Sequence, residues 1–427
     1  ISRSLYLQVV YLESNLEKHL LCNHLFENGK ALLFAGLYFE SKDSDRWFNK
    51  GINIVLSEIE EQVLSDGAHF EHSPMYHCIF LQGLLDLYAF LEYTGREIDQ
   101  IKKTIIKMCG WLDYVECPDG TFPLFNDSAL GIAPTVREIF SNAKSFVGYE
   151  KLVDKESLRH KDGTYVLENG GLFCVIDGAS IGPSYNPGHA HSDNFTYELF
   201  YGQKKIITDT GVSTYDPGKK RIYERSTAAH NTLLLNGLEQ TEMWSSFRVA
   251  RRSNPDITKS RYLADSLGFY GKYKNQLRTS INLEHERYII IGEIGDIHWI
   301  VVWDSATAKN YINALNFCHF DPAIKLDHEE GRYKLKVKTS VIGVFHPLMS
   351  QKSKIFTTTY SPEFGINLSR QSILMSSSYE NKLGTGYLIV FGEDSSLLEP
   401  NIEVSGNLLT LEIEKYSNSI QLDKIRE

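Results

Sequence analysis

The sequence contains no uninterrupted apolar stretch approaching the roughly 20 residues that a membrane-spanning helix needs, and the chain is read as soluble. Cysteine is scarce, with six residues in 427 and no CxxC pair. The scatter of Cys22, Cys78, Cys109, Cys117, Cys174 and Cys318 excludes a zinc ribbon and a dense disulfide framework, and it leaves the redox compartment open. Basic charge is in deficit. A net charge of −10 argues against general nucleic-acid binding through the bulk field, so an anionic ligand would need a locally basic cleft. Large flat side chains are plentiful instead: 24 Tyr and 22 Phe sit within a 42% hydrophobic composition that excludes whole-chain disorder, collagen and coiled coil. The length fits two or three folding units at ~150 residues per domain. The chain opens at Ile1 directly in the amphipathic run SLYLQVVYLESNLEKHLL, and it is expected to be a mature or truncated form.

The pattern changes near residue 145. Before it, apolar residues recur at helical spacing: Trp47, Ile52, Val55, Leu56, Ile59, Val63 and Leu64 form one stripe, as expected of an outer, half-exposed helix. The segment Met75 to Tyr93 is apolar on nearly every side and predicts a buried helix. The same alternation relates Leu5–Leu20 to Leu25–Phe39, which predicts about three helical hairpins over residues 1–145. Over residues 146–427 the period moves towards two, in the runs GLFCVIDG, KKIITDTG, HNTLLLNG, RYIIIGEIG, HWIVVWDS, SVIGVFHP, GYLIVFGED and NLLTLEIEK. The expected class is α+β multidomain, with helical hairpins followed by a large antiparallel sheet region arranged as a two-layer sandwich. No low-complexity linker divides the halves, and a cleft between them is the preferred ligand site.

Three segments concentrate the unusual chemistry. Asn23-His24-Leu25-Phe26-Glu27-Asn28 opens a helix with amide, imidazole and carboxylate groups, and Asn23 is equally readable as an N-cap. Asp66 to His77 (DGAHFEHSPMYH) is a polar loop leading into the buried helix, at whose start stands Tyr76. That tyrosine is readable as a core residue with a satisfied hydroxyl, or as a group on the same rim as Asn23. The third segment is the densest: Gly188-His189-Ala190-His191-Ser192-Asp193-Asn194, then Asp209, then Arg225 to Thr232 around His230. An HxH pair on a strand sends both imidazoles to one face, where a later Asp and His could complete a three-ligand metal site or a hydrogen-bonded polar cluster. Lys219, Lys220, Arg221, Arg225, Arg248, Arg251 and Arg252 surround His230 and would form either a solvated basic face or a positive funnel for a carboxylated or sulfated polymer. Trp244 and Phe247 could stack on sugars or belong to the core.

The runs GHAHSDNFTYELFYGQKKIITDTGVSTYD and RIYERSTAAHNTLLLNGLEQ resemble the signature region of the heparinase II/III family of polysaccharide lyases, and NHLFENGKALLFAG and DGAHFEHSPMYH resemble its helical-domain segments in the same order. The resemblance covers about residues 1–250. It implies an incomplete α/α toroid, with fewer hairpins than the family usually has, followed by a β-sandwich region, with an acidic polysaccharide bound between them. The implied reaction is β-elimination from a uronic acid, giving a C4–C5 unsaturated product. By this resemblance Asn23 holds the uronate carboxyl group, helped by His24, and Tyr76 and His189 form the proton-transfer pair, with Arg225 binding substrate. Tyr76 could serve as the base only with a pKa lowered by positive charge or hydrogen bonding, which the histidines, arginines and any metal could supply. His191, Asp209 and His230 fall on the metal positions, implying a largely structural divalent ion, for which nitrogen and oxygen donors suit Zn²⁺ better than Ca²⁺. A periplasmic or secreted location follows by analogy. A metal-dependent glycan hydrolase and a non-catalytic acidic-glycan-binding protein are the alternative functions.

Overall fold

A computed structural model of the protein describes residues 1–96, 98–151, 163–263, 265–275, 283–349, 352–392, 395, 398–413 and 416–426. Six helices come first: α1 (Ser2–Ser14), α2 (Cys22–Tyr38), α3 (Ser44–Gln62), α4 (Pro74–Tyr93), α5 (Asp99–Val115) and α6 (Val136–Val147). The stripe expected on α3 is the face it buries, with Trp47, Ile52, Val55 and Ile59 inside. α4 is buried along most of its length, and the helical core gathers around Leu81, Leu84, Leu85 and Tyr88. Its start is well specified: Ser73 Oγ accepts the Tyr76 backbone N–H at 3.3 Å and Pro74 occupies the first turn. Tyr76 therefore stands in the first turn of α4.

α2 and α3 pack unusually close through Gly29 and Gly36 on one helix and Gly51 on the other. A Cβ at Gly51 would meet the Leu33 backbone nitrogen at 2.5 Å, and backbone of a neighbouring helix cannot rotate aside as a side chain can. Gly51→Ala is therefore expected to lower stability by about 1–3 kcal/mol, measured as a shift in the denaturation midpoint, despite alanine's better helix propensity.

Beyond Gly163 strands dominate. β1 (Thr164–Asn169), β2 (Leu172–Asp177), β3 (Tyr197–Tyr201) and β4 (Lys204–Ile207) form a four-stranded antiparallel sheet. β5 (Leu233–Leu235), β6 (Met243–Trp244) and β7 (Arg248–Val249) follow a short helix, α7 (Lys219–Glu224). β8 (Pro255–Tyr262), β9 (Ser266–Asn275), β10 (Leu283–Ile294), β11 (Ile297–His319), β12 (Ile324–Glu329), β13 (Arg332–Val337), β14 (Ser340–Leu348), β15 (Lys352–Tyr360) and β16 (Leu368–Phe391) make, with β5, a ten-stranded sheet centred on β11 and β16. β17 (Asn401–Ser405), β18 (Leu408–Ile413) and β19 (Tyr416–Gln421) form a third sheet, and α8 (Leu422–Arg426) ends the described chain. Each of the eight β-rich runs contains a strand.

The layering differs from the two-layer sandwich expected. Ile289 and Ile291 of the large sheet pack with Leu172, Cys174 and Leu199 of the four-stranded sheet, whereas Tyr288 and Ile290 pack with Leu409 and Leu411 of the three-stranded one. Alternate residues of one strand thus meet apolar layers on opposite faces, making three layers. The reason is visible in the unbroken apolar runs of β10, β11 and β16, since a strand covered on both sides has no polar face to alternate with.

Helical and sheet regions meet through the loop between α5 and α6. Leu124 N–H donates to Glu198 Oε1 at 3.2 Å, Asp127 N–H to the His189 carbonyl at 3.0 Å, and His191 N–H to Asn126 Oδ1 at 3.0 Å. On the helical side Ser73 Oγ donates to the Asp127 carbonyl at 2.8 Å. This one loop ties the start of α4 to the segment carrying His189.

Candidate active site

Asn23 lies inside α2, one residue past its start, and no side chain caps that helix. The capping alternative therefore does not describe it. Its half-buried amide has no hydrogen-bond partner among the described residues and is available to a ligand. The turn before it is held in a conformation rare outside glycine, with φ of 59° at Leu21 and 51° at Cys22. Asn186, from the sheet region, donates to the Leu20 carbonyl at 3.0 Å and to Cys22 Sγ at 3.4 Å, so this turn is clasped across the domain seam. His24 is exposed, with Nδ1 3.4 Å from Glu17.

Facing α2 are two stacked rings. Tyr76 and His189 have centroids 4.0 Å apart and planes 12° from parallel. His189 Nδ1 lies 2.8 Å from Glu71 Oε2, and the Tyr76 hydroxyl lies 3.2 Å from that of Tyr215. Because a carboxylate only accepts, Glu71 fixes the Nδ1–H tautomer and leaves His189 Nε2 for a ligand. Asn23, His24, Glu71, Tyr76, His189 and Phe247 all line one cleft of about 300 Å³. Three groups drawn from a span of more than 160 residues of sequence thus share a single sugar-sized space.

Electrostatics in the cleft do not meet the condition for a tyrosine base. Burial, with Asp127 and Glu71 nearby, pushes the Tyr76 phenol up to about 12 rather than down. The Tyr215 hydroxyl and the Arg221 guanidinium act in the lowering direction without overcoming burial, and Arg221, itself fully buried, is paired with Asp127 Oδ2 at 2.6 Å. For His189, burial works against the charged form, but the Glu71 carboxylate outweighs it and raises the imidazole above its ordinary value.

Behind the cleft lies a second, fully enclosed cluster. His191, Asp193 and His230 each place a ligand atom within 4.8 Å of the others. His191 uses Nε2 on Asp127 at 2.8 Å and His230 uses Nδ1 on Asp209 at 2.8 Å. Their remaining nitrogens, His191 Nδ1 and His230 Nε2, are buried without a partner among the described residues, as is Asp193 Oδ2. Unsatisfied buried acceptors are costly, and three converging from two imidazoles and a carboxylate are the donor set of a divalent cation. Burial, with the Asp209 charge nearby, holds the Asp193 carboxyl above its usual range.

A family model described as heparinase II/III-like, C-terminal, matches residues 157–396, and one described as heparinase II/III N-terminus matches residues 3–152. The chain belongs to the heparinase II/III family. Among relatives of this family, a heparin-sulfate lyase of Bacteroides stercoris is 31% identical over 249 residues, covering 52% of this chain and 37% of that protein. A heparin-sulfate lyase of Pedobacter heparinus is 29% identical over 236 residues, covering 50% of this chain and 36% of that protein. The match thus spans little more than a third of the length of these curated relatives. A crystal structure of a heparan sulfate lyase from Pedobacter heparinus superposes with a TM-score of 0.72 at 20% identity, covering 98% of this chain and 68% of that one. A structure of heparinase III gives 0.77 at 16% identity, covering 97% and 69%. At these identities the superpositions establish the fold, a helical region followed by a large antiparallel sheet region.

Within this heparinase II/III chain two expected assignments change. Arg225 does not face the cleft: it is fully buried, with Nη2 donating to the Ala190 carbonyl at 2.9 Å and Nη1 to that of Ser245 at 3.1 Å. Its donors are consumed by main-chain carbonyls, so it holds the loop rather than the glycan. Asp209 stands behind His230 instead of in the cluster, its Oδ1 accepting the Gly211 N–H at 3.2 Å, and Asp193 takes the place expected of it. A carboxylate so placed orients the imidazole. Glu71, Asp127, Asp193 and Tyr215 belong to the site without having been singled out by the sequence pattern. Glu71 and Asp193 lay inside quoted motifs, and Tyr215 closed another, but nothing in local spacing marks Asp127.

Proposed function

We propose that this protein is a polysaccharide lyase that cleaves a uronic-acid-containing glycan of the heparan sulfate type by β-elimination. The observation that carries the reading is the convergence of the Asn23 amide, the Tyr76 phenol and the His189 imidazole on one cleft between the helical and sheet regions. Similarity to the heparin-sulfate lyases of Bacteroides stercoris and Pedobacter heparinus supports the substrate class. The helices are read as a segment of an α/α toroid, the sheets as an elaborated β-sandwich, and the location as periplasmic or secreted. No described helix is long and apolar enough to cross a membrane.

Elimination requires the C5 proton to leave while the carbanion's charge spreads onto the adjacent carboxylate. Asn23 donates its amide N–H to that carboxylate, so the charge developing in the transition state meets a preorganised donor; losing one such donor costs roughly 3 kcal/mol of barrier. His189 Nε2, with its Nδ1–H committed to Glu71, takes the C5 proton. The C5–H electrons form the C4–C5 double bond and the C4–O4 bond breaks with its pair on oxygen. Tyr76, whose phenol is protonated at neutral pH, gives that oxygen its proton. Two rings stacked 4.0 Å apart serve both steps from one wall, which suits a uronate whose C5–H and C4–O4 bonds lie on the same side of the ring. Wild-type protein incubated with a panel of polyuronates is expected to produce the absorbance of an unsaturated uronate; cleavage without that absorbance would select the hydrolase reading, and binding without cleavage the non-catalytic one.

His191, Asp193 and His230 would hold a divalent cation, Zn²⁺ more readily than Ca²⁺, which when bound supplies a fixed positive charge behind the His189 loop. Its role is structural, because the cluster is enclosed and has no face on the cleft. Elemental analysis of purified protein is expected to give close to one metal per chain. Asp193→Asn is expected to lower metal content and thermal midpoint together, and chelation is expected to leave that variant's midpoint unchanged. A metal-free wild type with an unaltered midpoint in added Zn²⁺ would remove the site.

A further inference from the structure

The cleft has an aromatic wall that the reaction does not use. β6 and β7 form a very short hairpin, pairing Met243 with Val249 and Trp244 with Arg248. An isolated ladder of this size has little stability of its own, yet this one is tied down from beneath. Arg221 donates to the Ser246 carbonyl through Nε at 3.1 Å and Nη2 at 2.9 Å, and Arg225 donates through Nη1 to the Ser245 carbonyl at 3.1 Å. Both guanidiniums are fully buried, and each also reaches the reacting region: Arg221 through Asp127 and His191, Arg225 through the Ala190 carbonyl beside His189. Ser245, at φ 56°, lets the turn close over them.

What this anchoring presents is Phe247. The residue is 42% exposed and lines the cleft, and its ring stands edge-to-face with His189 at 6.1 Å and with Tyr215 at 5.1 Å. The Arg221 guanidinium lies 5.4 Å from the ring centroid and steadies it further. An exposed phenyl group on a turn whose backbone is held by two buried cations offers a preorganised apolar face beside the proton-transfer pair.

We propose that Phe247 is a sugar-stacking residue, receiving the C–H face of the pyranose ring adjacent to the uronate bound at Asn23. The inference rests on the lyase reading for the identity of that ring. A pyranose has one face rich in C–H groups, and covering the exposed part of a phenyl ring with it removes enough apolar surface from water to change affinity about ten-fold.

The test uses the full chain carrying Tyr76→Phe, which keeps the glycan intact, titrated calorimetrically with a heparan sulfate hexasaccharide. Phe247→Ala is expected to raise Kd about ten-fold and Phe247→Leu several-fold, with Phe247→Tyr within two-fold of its parent. With Tyr76 restored, Phe247→Ala is expected to raise KM by a similar factor with kcat within two-fold. An unchanged Kd in both the Ala and Leu variants would overturn the proposal, as would a fall in kcat at constant KM, which would mean that Phe247 merely packs His189. Should Phe247→Ala fail to fold, the Leu and Tyr pair makes the same comparison. The two levels of reading fail separately: absent unsaturated product from wild type removes the lyase assignment, whereas unchanged affinity beside wild-type cleavage removes only the stacking role.

Discussion

Replacing Tyr76 by phenylalanine is expected to reduce kcat by ~10²- to 10⁴-fold while leaving the folded structure intact. The hydroxyl is the only group lost, and among the described residues its recorded partner is another hydroxyl, that of Tyr215 at 3.2 Å. One neutral hydrogen bond at a half-buried site contributes about 1 kcal/mol, so the thermal midpoint should move by only a few degrees. The ring remains, and with it the stack on His189, so glycan affinity should change little. The proton donor is gone. His189→Ala should produce a loss of similar size, and the double variant should be little worse than either single one, because two groups acting in one concerted step cannot each be removed at full cost. Turnover measured by unsaturated-uronate absorbance checks both. Tyr76→Phe retaining wild-type kcat would sink the mechanism, whatever the fate of the family assignment.

Much of this site was legible in the sequence because its parts lie where local rules are strong. Ser73-Pro74 announces a helix start, which places Tyr76 in a first turn, and the unbroken apolar face of α4 shows that the turn belongs to an interior helix. The polarity of GHAHSDN between strands marked a cluster needing partners. What stayed hidden depends on contacts between distant segments. Asp127 is tied to His191 and Arg221, 64 and 94 residues away, and no periodicity points from one to the others. Arg225 illustrates the opposite error. A cation beside ligand-like histidines suggests an anion site, but five donors can also be spent on main-chain carbonyls, and only coordinates distinguish the two. Asp193 was missed for a related reason, since Asp193 and Asp209 are both acids near His230 and only coordinates show that Asp193 converges with His191 and His230 while Asp209 lies against His230 Nδ1. The third layer was written in the sequence all the same: runs such as RYIIIGEIG have no polar alternation, and a sheet with two apolar faces demands cover on both.

Asp127→Asn should be the most destabilising single substitution near the site. Asp127 has no solvent exposure, and its carboxylate bonds Arg221 and His191 at once. Burial opposes its ionisation, but Arg221 and His191 hold its pKa below the usual carboxylate range, so the charge is present in the folded protein. Asparagine keeps the shape and one acceptor but removes the charge, leaving the fully buried Arg221 guanidinium facing an amide. Uncompensated buried charges of this kind cost roughly 3–5 kcal/mol, a large share of the total stability of an ordinary domain. The consequence should spread beyond stability. Arg221 also holds the Ser246 carbonyl under the Phe247 hairpin, and the Asp127 backbone N–H holds the His189 carbonyl, so a shifted Asp127 disturbs the cleft from two directions. Chemical denaturation should show the loss directly, and activity should fall even at temperatures where the variant is folded. Asp127→Asn combined with Arg221→Met then provides the deciding comparison, because removing both charges should recover much of the stability that the single change loses. If the double variant is no more stable than Asp127→Asn alone, the pair is not the electrostatic unit its geometry describes, and the seam must instead be held by the backbone bonds of residues 124–128.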